Sequence, residues 1–331
     1  MMRVLEIGQY AAGYAGRLFV QAGADVVRLD TSQAAPAWAS DTAMNTYLHT
    51  GKRRVNLIEQ LPALARGADI VICEAASAAD VEALEFGALE CDIKVAITPF
   101  GLTGPKRNWQ ATPNVLLAMG GYTYIMGDAG REPLSLPGHY LEFQSGALGF
   151  TTAMSCVYAQ QANTADIGMY EVLMSLSQFS SVRWFCAGDI RTRHGSDFYF
   201  VTPSELFACA DGWIYVNIVP AFWDAFTLFI DRPELLIDER FLDNDMRMQH
   251  RDVLHEIIAE AVRDIPVAEV ERRAEEMRVP VGVVQDFAQV LEHPHLAARD
   301  YWQDVRLSNG SSVRMPGRTW HAHRIAGDSR G

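Results

Sequence analysis

The chain has 331 residues, enough for two domains or for one large domain with an excursion. Hydrophobic residues make up 49% of it and charged residues 21%, a composition typical of a globular protein rather than a disordered one. The formal net charge of −13 argues against nucleic acid or an anionic membrane as the main partner.

The cysteines and the N-terminal segment indicate the cellular compartment in which the protein is expected to fold. The five cysteines are widely spaced and form no CxxC pair, so we expect neither disulfides nor a metal site. The opening MMRVLEIGQYAAGYAG lacks the build of a signal peptide, because a glutamate and a glutamine interrupt it early. No apolar run reaches the roughly 18 residues that cross a bilayer. We therefore expect a cytoplasmic protein with no membrane partner.

The first third of the chain predicts alternating strands and helices. Runs rich in Val and Ile predict strands at residues 4–7, 25–29, 69–73 and 94–97. These runs are almost unbroken, as in strands that are buried on both faces of a sheet. A short helix between the first two runs completes a βαβ unit, which favours an α/β fold with a parallel sheet.

The character of the sequence changes after about residue 195. A turn at Ala210, Asp211 and Gly212 separates two apolar runs and predicts an antiparallel hairpin in a smaller domain. Residues 251–277 have a helical and richly charged pattern, typical of a solvated helix face. A second hairpin is expected about Asn309 and Gly310.

Several segments resemble a known family in the family's own order. The opening RVLEIGQYAAGYAGRLFVQAGADVVRLD, then HTGKRRVNL (49–57), ITPFGLTGP (97–105) and the late PVGVVQDFAQVLEHPHLAARDYW (280–302) are similar to segments of the CaiB/BaiF family. This family is also called the family III CoA-transferases and includes formyl-CoA transferase and α-methylacyl-CoA racemase. The matches extend over about residues 3 to 320.

The resemblance implies an architecture as well as a fold class. It implies an α/β protein with a Rossmann-like, CoA-binding large domain at residues 1–190 and a smaller α+β domain at 200–300. A C-terminal segment at 301–331 would return to the large domain. Family members form interlocked dimers, so the resemblance also implies a homodimer, or a heteromer with a paralogous subunit.

The resemblance assigns a catalytic position to Glu142, in the segment PLPGHYLEFQSGALGF. The family normally has an aspartate there that is acylated by a thioester. Glutamate carries the same charge but is longer by one methylene, and a misplacement of about 1 Å can cost roughly 10²-fold in rate. The alternative is a structural or solvated glutamate. We expect an apolar strand beside Glu142. If the segment is extended, His139 and Glu142 point to opposite faces, and His139 is a surface or loop histidine rather than a partner of Glu142.

The resemblance also locates the residues that would contact CoA. The family usually has an arginine after the third strand, whereas CEAASAADVEA contains no basic residue. Ala11 occupies the position of a glutamine that lies near the reacting carbons in formyl-CoA transferase. The basic residues that remain within matching segments, and that we predict to contact phosphate, are Lys52, Arg53, Arg54, Lys106 and Arg107.

Three functions follow from the resemblance. The first is an enzyme of EC 2.8.3 type that moves CoA from an acyl-CoA to a carboxylic acid through a covalent Glu142 intermediate. The second is a non-catalytic subunit of a heteromeric CoA-transferase. The third, acyl-CoA racemase or isomerase activity, lacks the family's acid–base residues, because Thr112, Pro113 and Val219 occupy those positions.

Overall fold

The computed structural model describes residues 1–31, 42–198, 200–307 and 310–322. The strands among these residues are β1 (Arg3–Ile7), β2 (Asp25–Leu29), β3 (Arg53–Val55), β4 (Ile70–Glu74), β5 (Ile93–Thr98), β6 (Asn163–Gly168), β7 (Ser204–Ala208), β8 (Trp213–Asn217), β9 (Val281–Val283), β10 (Trp302–Arg306) and β11 (Ser312–Pro316). Short 3₁₀ turns connect several elements.

The α-helices of the described residues lie between and after these strands. They are α1 (Tyr10–Gln21), α2 (Thr42–His49), α3 (Leu61–Arg66), α4 (Ala78–Ala83), α5 (Pro113–Met119), α6 (Tyr122–Ile125), α7 (Tyr140–Ala159), α8 (Met169–Leu176), α9 (Gln178–Ala187), α10 (Trp223–Phe229), α11 (Asn244–Gln249), α12 (Arg251–Val262), α13 (Val267–Met277), α14 (Phe287–Leu291) and α15 (Pro294–Ala298). None of the described helices is long and apolar enough to cross a membrane.

The chain divides into two compact units. The first unit contains Met1–Thr123, Ser135–Ile190 and the described residues from Pro294 onward. The second contains Tyr124–Leu134 and Arg191–His293. Each unit has its own apolar core, as expected when one chain forms two independently packed bodies.

A parallel sheet forms the centre of the first unit. Its strand order is β3-β2-β1-β4-β5-β6, and every neighbouring pair is parallel. The predicted α/β fold with a parallel sheet is therefore confirmed. The order reverses between β1 and β4, because the chain runs outward from β1 to β3 and then returns. In open α/β sheets, ligands bind outside the carboxyl ends of the strands at such a switch point.

The apolar runs of the sequence become buried strands. All six residues of β5 are buried, and so are most residues of β1, β2 and β4. One sheet face packs against α1 and α7 through residues such as Ala15, Phe19 and Ala153. The opposite face packs against α3 and α4 through Leu61 and Val81. Both faces are covered, which explains why these strands lack polar alternation.

Helices α1 and α7 approach each other closely because small residues line their contact. A Cβ atom built on Gly146 would collide with the carbonyl oxygen of Ala11, so only glycine fits there. Gly149 similarly lets α7 lie against Ile97 of β5. The contact holds the N-termini of two helices next to the carboxyl ends of the strands.

The segment that contains Glu142 is helical, so the prediction of an extended segment is wrong. It forms α7, and Glu142 lies in the first turn of this helix. Glycines lower helix propensity by about 1 kcal/mol each, and Gly146 and Gly149 made the helix hard to recognise. The close packing against α1 and β5 is the tertiary contact that offsets this cost.

The second unit contains a small antiparallel sheet with the order β7-β8-β9. The predicted hairpin about residues 210–212 is confirmed, because β7 and β8 pair antiparallel on either side of it. Its apolar side chains pack with those of α10, α12 and α13. The charged stretch 251–277 forms two helices, α12 and α13, rather than one.

The described C-terminal residues pack within the first unit. Strands β10 and β11 pair antiparallel, as the predicted second hairpin requires, while Asn309 of its turn lies outside the described residues. Arg17 of α1 donates a hydrogen bond to the carbonyl oxygen of Pro316, and Gln21 donates one of 3.1 Å to that of Gly317. This segment therefore anchors the outer side of α1.

Candidate active site

A cavity of about 530 Å³ lies at the carboxyl ends of the parallel strands of the first unit. Its wall includes Gln9 after β1, Thr31 after β2, Pro99 after β5 and Met169 at the start of α8. The volume is within the range of about 300–1,000 Å³ that is usual for ligand pockets. The cavity lies at the topological switch point, where an α/β sheet is expected to bind its ligand.

Glu142 projects into this cavity from the first turn of α7. The residue is only 4% exposed, and its Oε2 accepts no hydrogen bond from the described residues. A buried carboxylate oxygen without a partner loses its hydration without compensation. The N-terminal end of a helix partly offsets this cost, because it favours negative charge. Glu142 is thus held beside the cavity with one oxygen available to a ligand.

His139 contacts the other carboxylate oxygen of Glu142. His139 Nδ1 lies 2.9 Å from Glu142 Oε1, and the two residues are one helical turn apart. The ring of His139 stacks on that of Tyr10, with 3.8 Å between the ring centroids. The expectation that these two side chains point to opposite faces is therefore wrong, because it assumed the spacing of a strand. The helix brings residues i and i+3 to the same face.

Glu74 is a second carboxyl group on the cavity wall, and the sequence reasoning missed it. It ends β4, and its Oε2 accepts hydrogen bonds of 2.9 Å from the backbone N–H groups of Gln9 and Ala12. Burial raises the pKa of Glu74 to about 7, the amide groups of α1 oppose this rise, and the charge of Glu142 adds to it. Glu74 could have been recognised in the sequence as a polar residue at the carboxyl end of a buried parallel strand, where such sheets bind ligands.

Gly8 makes the close approach of β1 and β4 possible. Its φ of +135° is in a region that L side chains rarely adopt, and a Cβ atom there would lie 2.6 Å from Glu74 Cβ. The glycine thus lets α1 begin directly beside Glu74. This arrangement points the first amide groups of α1 at the Glu74 carboxyl group.

Lys52 is buried between β1 and α1 and does not line the cavity. Its Nζ forms an ion pair with Glu6, donates a 2.7 Å hydrogen bond to the carbonyl oxygen of Gly13, and lies 3.4 Å from His49 Nδ1. Arg28 pairs with the same Glu6 at 2.6 Å. Burial lowers the pKa of Lys52 to about 8, while the attraction of Glu6 opposes this change.

The other predicted phosphate contacts also lie outside the cavity wall. Arg53 pairs with Asp25 at 3.4 Å, Arg54 with Asp30 at 2.7 Å, and Arg107 with Glu82 at 2.5 Å. These side chains are at least one-third exposed. Their contact with phosphate stays a prediction.

Lys106 and Ala11 have different surroundings from the paired arginines. Lys106 Nζ lies 3.1 Å from the ring centroid of Trp109, and no described carboxylate pairs with it. Gln110, four residues later, lines the cavity. Ala11 is fully buried in α1, its carbonyl oxygen lies against Gly146 of α7, and its side chain belongs to the apolar core.

No group of three histidine, cysteine, aspartate or glutamate side chains within the described residues could hold a metal ion. The charged residues of the cavity wall are Glu74, Asp80 and Glu142. The arrangement therefore offers carboxyl groups, backbone amides and apolar surface to a ligand.

The family model of CoA-transferase family III matches residues 2–330, nearly the whole chain. The chain belongs to this family. Family membership supports an enzyme of the transferase kind and confirms the resemblance found in the sequence.

Curated relatives and a solved structure extend this assignment. The chain is 24% identical, over 95% of its length and 80% of the relative's, to the succinyl-CoA–L-malate CoA-transferase alpha subunit of Chloroflexus aurantiacus. It is 26% identical, over 92% of its length and 84% of the relative's, to the succinyl-CoA:mesaconate CoA-transferase of Haloarcula hispanica. A CaiB/BaiF family protein from Brucella suis has the same fold, with a TM-score of 0.79, 18% identity and coverage of 94% of this chain and 93% of that one.

Proposed function

We propose that this protein transfers CoA from an acyl-CoA to a carboxylic acid, with Glu142 as the nucleophile. The observation that carries the proposal is the buried Glu142 carboxylate, whose Oε2 has no partner among the described residues and faces a ligand-sized cavity. Retaining an ionisable group in such a place is costly unless it has a task. The related transferases of Chloroflexus and Haloarcula support the reaction type.

The proposed reaction passes through two covalent intermediates on Glu142. The Glu142 carboxylate attacks the thioester carbonyl carbon, the carbon–sulfur bond breaks, and the thiolate of CoA leaves a mixed anhydride behind. The thiolate then attacks the Glu142 side-chain carbonyl, which releases the first acid and leaves a glutamyl thioester. The acceptor carboxylate and the thiolate repeat the two steps in reverse, which forms the new acyl-CoA and restores Glu142.

Two neighbours of Glu142 hold its carboxylate for this attack. A proton on His139 Nδ1 would be donated to Glu142 Oε1, and the stacking on Tyr10 fixes the imidazole plane. With Oε1 held, Oε2 is the oxygen that attacks. A fixed nucleophile contributes through orientation, because less freedom is lost when the reactants meet.

The cavity suits the acyl end of the donor better than its phosphates. Its charged wall residues are all acidic, whereas CoA phosphates require cations or helix N-termini. Lys106 is the strongest phosphate candidate, because it lacks a carboxylate partner among the described residues and its segment continues to the cavity at Gln110. We therefore expect the acyl group to enter the cavity and the nucleotide to lie outside it.

A second candidate is a non-catalytic subunit of a heteromeric transferase. The observation that favours it is the cavity wall of this chain, whose described charged residues supply no cation for the donor. The name of the Chloroflexus relative also includes an alpha subunit. In this case the purified chain alone would transfer nothing, and a one-to-one complex with a paralogous chain would be needed.

Steady-state transfer assays test the proposal. We would follow the exchange of CoA between a panel of acyl-CoAs and labelled carboxylic acids with the wild type, Glu142→Gln and Glu142→Asp. Glutamine keeps the shape but cannot attack, so transfer should fall to background. Aspartate should lose about 10²-fold, because the shorter side chain can no longer place one oxygen against His139 and the other at the thioester carbon.

Glu260→Gln is the matched control, because Glu260 is exposed on α12 and the substitution removes the same charge. It should leave transfer unchanged. Undiminished transfer by Glu142→Gln would contradict the proposal. Absence of transfer by the wild type alone, with activity in a complex, would favour the subunit function.

A further inference from the structure

The acidic groups of the cavity differ in what surrounds them. Asp80 accepts a 2.6 Å hydrogen bond from the Ser77 hydroxyl, and Glu142 contacts His139. Glu74 instead contacts the backbone amides of α1. The described residues that line the cavity include no lysine, arginine or histidine, so this part of the wall places no cation beside these carboxyl groups.

Glu74 is fixed in this space by the backbone. Its Oε2 is held by two amide groups at the start of α1, and the positive φ of Gly8 allows this approach. The side chain begins at the last residue of β4, next to the switch point of the sheet. A carboxyl group with so little freedom can present a hydrogen bond in a constant direction.

The charged groups around Glu74 favour its neutral form. Burial disfavours a negative charge on Glu74, and the charge of Glu142, which faces it from α7, adds to this effect. Cys73 precedes it in β4, and burial raises the pKa of that thiol to about 12, so Cys73 stays neutral. Arg28 binds the carbonyl oxygen of Gly8 behind the turn, but its charge is already paired with Glu6.

Two carboxyl groups close together in a poorly hydrated site cannot easily both ionise. Burial raises the pKa of Glu74 to about 7, so near neutral pH about half of the molecules carry a proton there. The same cavity contains the Oε2 atom of Glu142, nine-tenths buried and without a described partner. The pair thus provides one proton donor and one nucleophile.

We propose that Glu74 is a catalytic residue that acts in its neutral form and donates a hydrogen bond to the thioester carbonyl oxygen while ionised Glu142 attacks the carbon. This inference rests on the proposed transfer reaction. As the oxygen–carbon bond forms, the carbonyl electron pair moves to its oxygen, and the Glu74 O–H stabilises that charge. When the carbon–sulfur bond breaks, the thiolate takes the bonding pair and Glu74 keeps its proton.

Single-turnover formation of the Glu142 adduct, measured by peptide mass spectrometry between pH 5.5 and 9, tests this role. The probes are acetyl-CoA, butyryl-CoA, benzoyl-CoA and succinyl-CoA without an acceptor. The wild-type rate should fall about tenfold per pH unit above pH 7, as Glu74 ionises. Glu74→Gln still donates a hydrogen bond and should lose this decline. Glu74→Ala should be about 10² to 10³-fold slower than the wild type below pH 7, and this difference should shrink above pH 7 as the wild-type rate falls.

Asp80→Asn is the matched control, because it removes another acidic group of the cavity and should leave the decline above pH 7 in place. A decline that persists in Glu74→Gln, or a Glu74→Ala rate equal to that of the wild type at pH 6, would overturn the inference alone. If the wild type forms no adduct at any pH, the proposed function fails and this role fails with it.

Infrared difference spectra of the ligand-free protein provide a readout independent of activity. The carboxylic acid band of a protonated Glu74 should be present at pH 6, disappear by pH 8.5 and be absent in Glu74→Gln. A spectrum in which Glu74→Gln removes no such band would overturn the inference, because Glu74 would then be ionised throughout. Asp80→Asn should leave this band in place.

Discussion

Two regions of the first unit bury carboxylates in opposite ways. Between the sheet and α1, Glu6 pairs with both Arg28 and Lys52, and all three side chains are at most 2% exposed. At the carboxyl ends of the strands, Glu142 and Glu74 face a cavity whose described wall residues include no cation. The comparison teaches that a balanced buried charge supports structure, whereas an unbalanced one beside a cavity indicates chemistry.

The largest loss of stability should follow from removing one cation of the Glu6 cluster. Replacing Lys52 by methionine leaves the buried Glu6 with one cation fewer, and removing one partner of a buried pair typically costs about 3–5 kcal/mol. We expect a loss of this size in the free energy of unfolding, measured with urea. Arg53→Met is the control, because its 3.4 Å pair with Asp25 is exposed and should change stability by about 0.5 kcal/mol or less.

The same pair of variants tests the sequence-based prediction of phosphate contacts. If Lys52→Met were as stable as the wild type and instead bound acyl-CoA more weakly, Lys52 would be a ligand contact. The structural interpretation of the Glu6 cluster would then be contradicted.

A smaller loss of stability should follow from separating the helices that frame the cavity. Gly146→Ala places a Cβ atom against the carbonyl oxygen of Ala11, and backbone shifts of this kind cost about 1–3 kcal/mol. The unfolding midpoint in urea measures it. Gly87→Ala, where a Cβ atom meets no atom within 4 Å, should stay within about 0.5 kcal/mol of the wild type. Equal stability of the two variants would contradict the close contact of α1 and α7.

Removing the contact of His139 with Glu142 Oε1 should slow adduct formation without unfolding the protein. His139→Phe keeps an aromatic ring over Tyr10 but removes the Nδ1 contact of 2.9 Å with Glu142. We expect adduct formation to slow about tenfold, which corresponds to roughly 1.4 kcal/mol. Single-turnover kinetics measure the rate of adduct formation, and the melting temperature shows whether the variant is still folded. An unchanged rate would mean that His139 does not position the nucleophile.

The smallest effect should be a pH-dependent gain in stability from Glu74→Gln. The native pKa of Glu74 is about 7 against an ordinary value of 4.5, so the native state binds more protons than the unfolded state between these pH values. Wild-type stability therefore falls as pH rises through this window. The variant should melt above the wild type at pH 8.5 and show no gain at pH 4.5. A gain of the same size at both values would contradict the raised pKa.

The parallel sheet and the importance of Glu142, which lines the cavity, were predicted from sequence for different reasons. Four of the six strands, β1, β2, β4 and β5, were predicted within about one residue, because runs of Val and Ile buried on both faces leave a local signal. The Asp211 turn likewise predicts its hairpin without tertiary knowledge. Glu142 was found only through the family resemblance, since a single glutamate carries no pattern of its own.

Other features depend on tertiary contacts that leave little trace in sequence. The helix α7 was missed because Gly146 and Gly149 lower its propensity, and the contact of His139 with Glu142 was missed with it. Lys52 and Arg53 look alike in the run KRR, yet one is buried against Glu6 and the other is exposed. Glu74 gains its significance from Gln9, 65 positions away in the chain.

The central claim is that Glu142 forms a covalent bond during transfer. Mass spectrometry of the intact protein and its peptides, after incubation with the acyl-CoA panel and quenching with hydroxylamine, tests it most directly. We predict a hydroxamate on Glu142 in the wild type and none in Glu142→Gln. Active transfer with no modification of Glu142, or a hydroxamate on a different residue, would contradict the account.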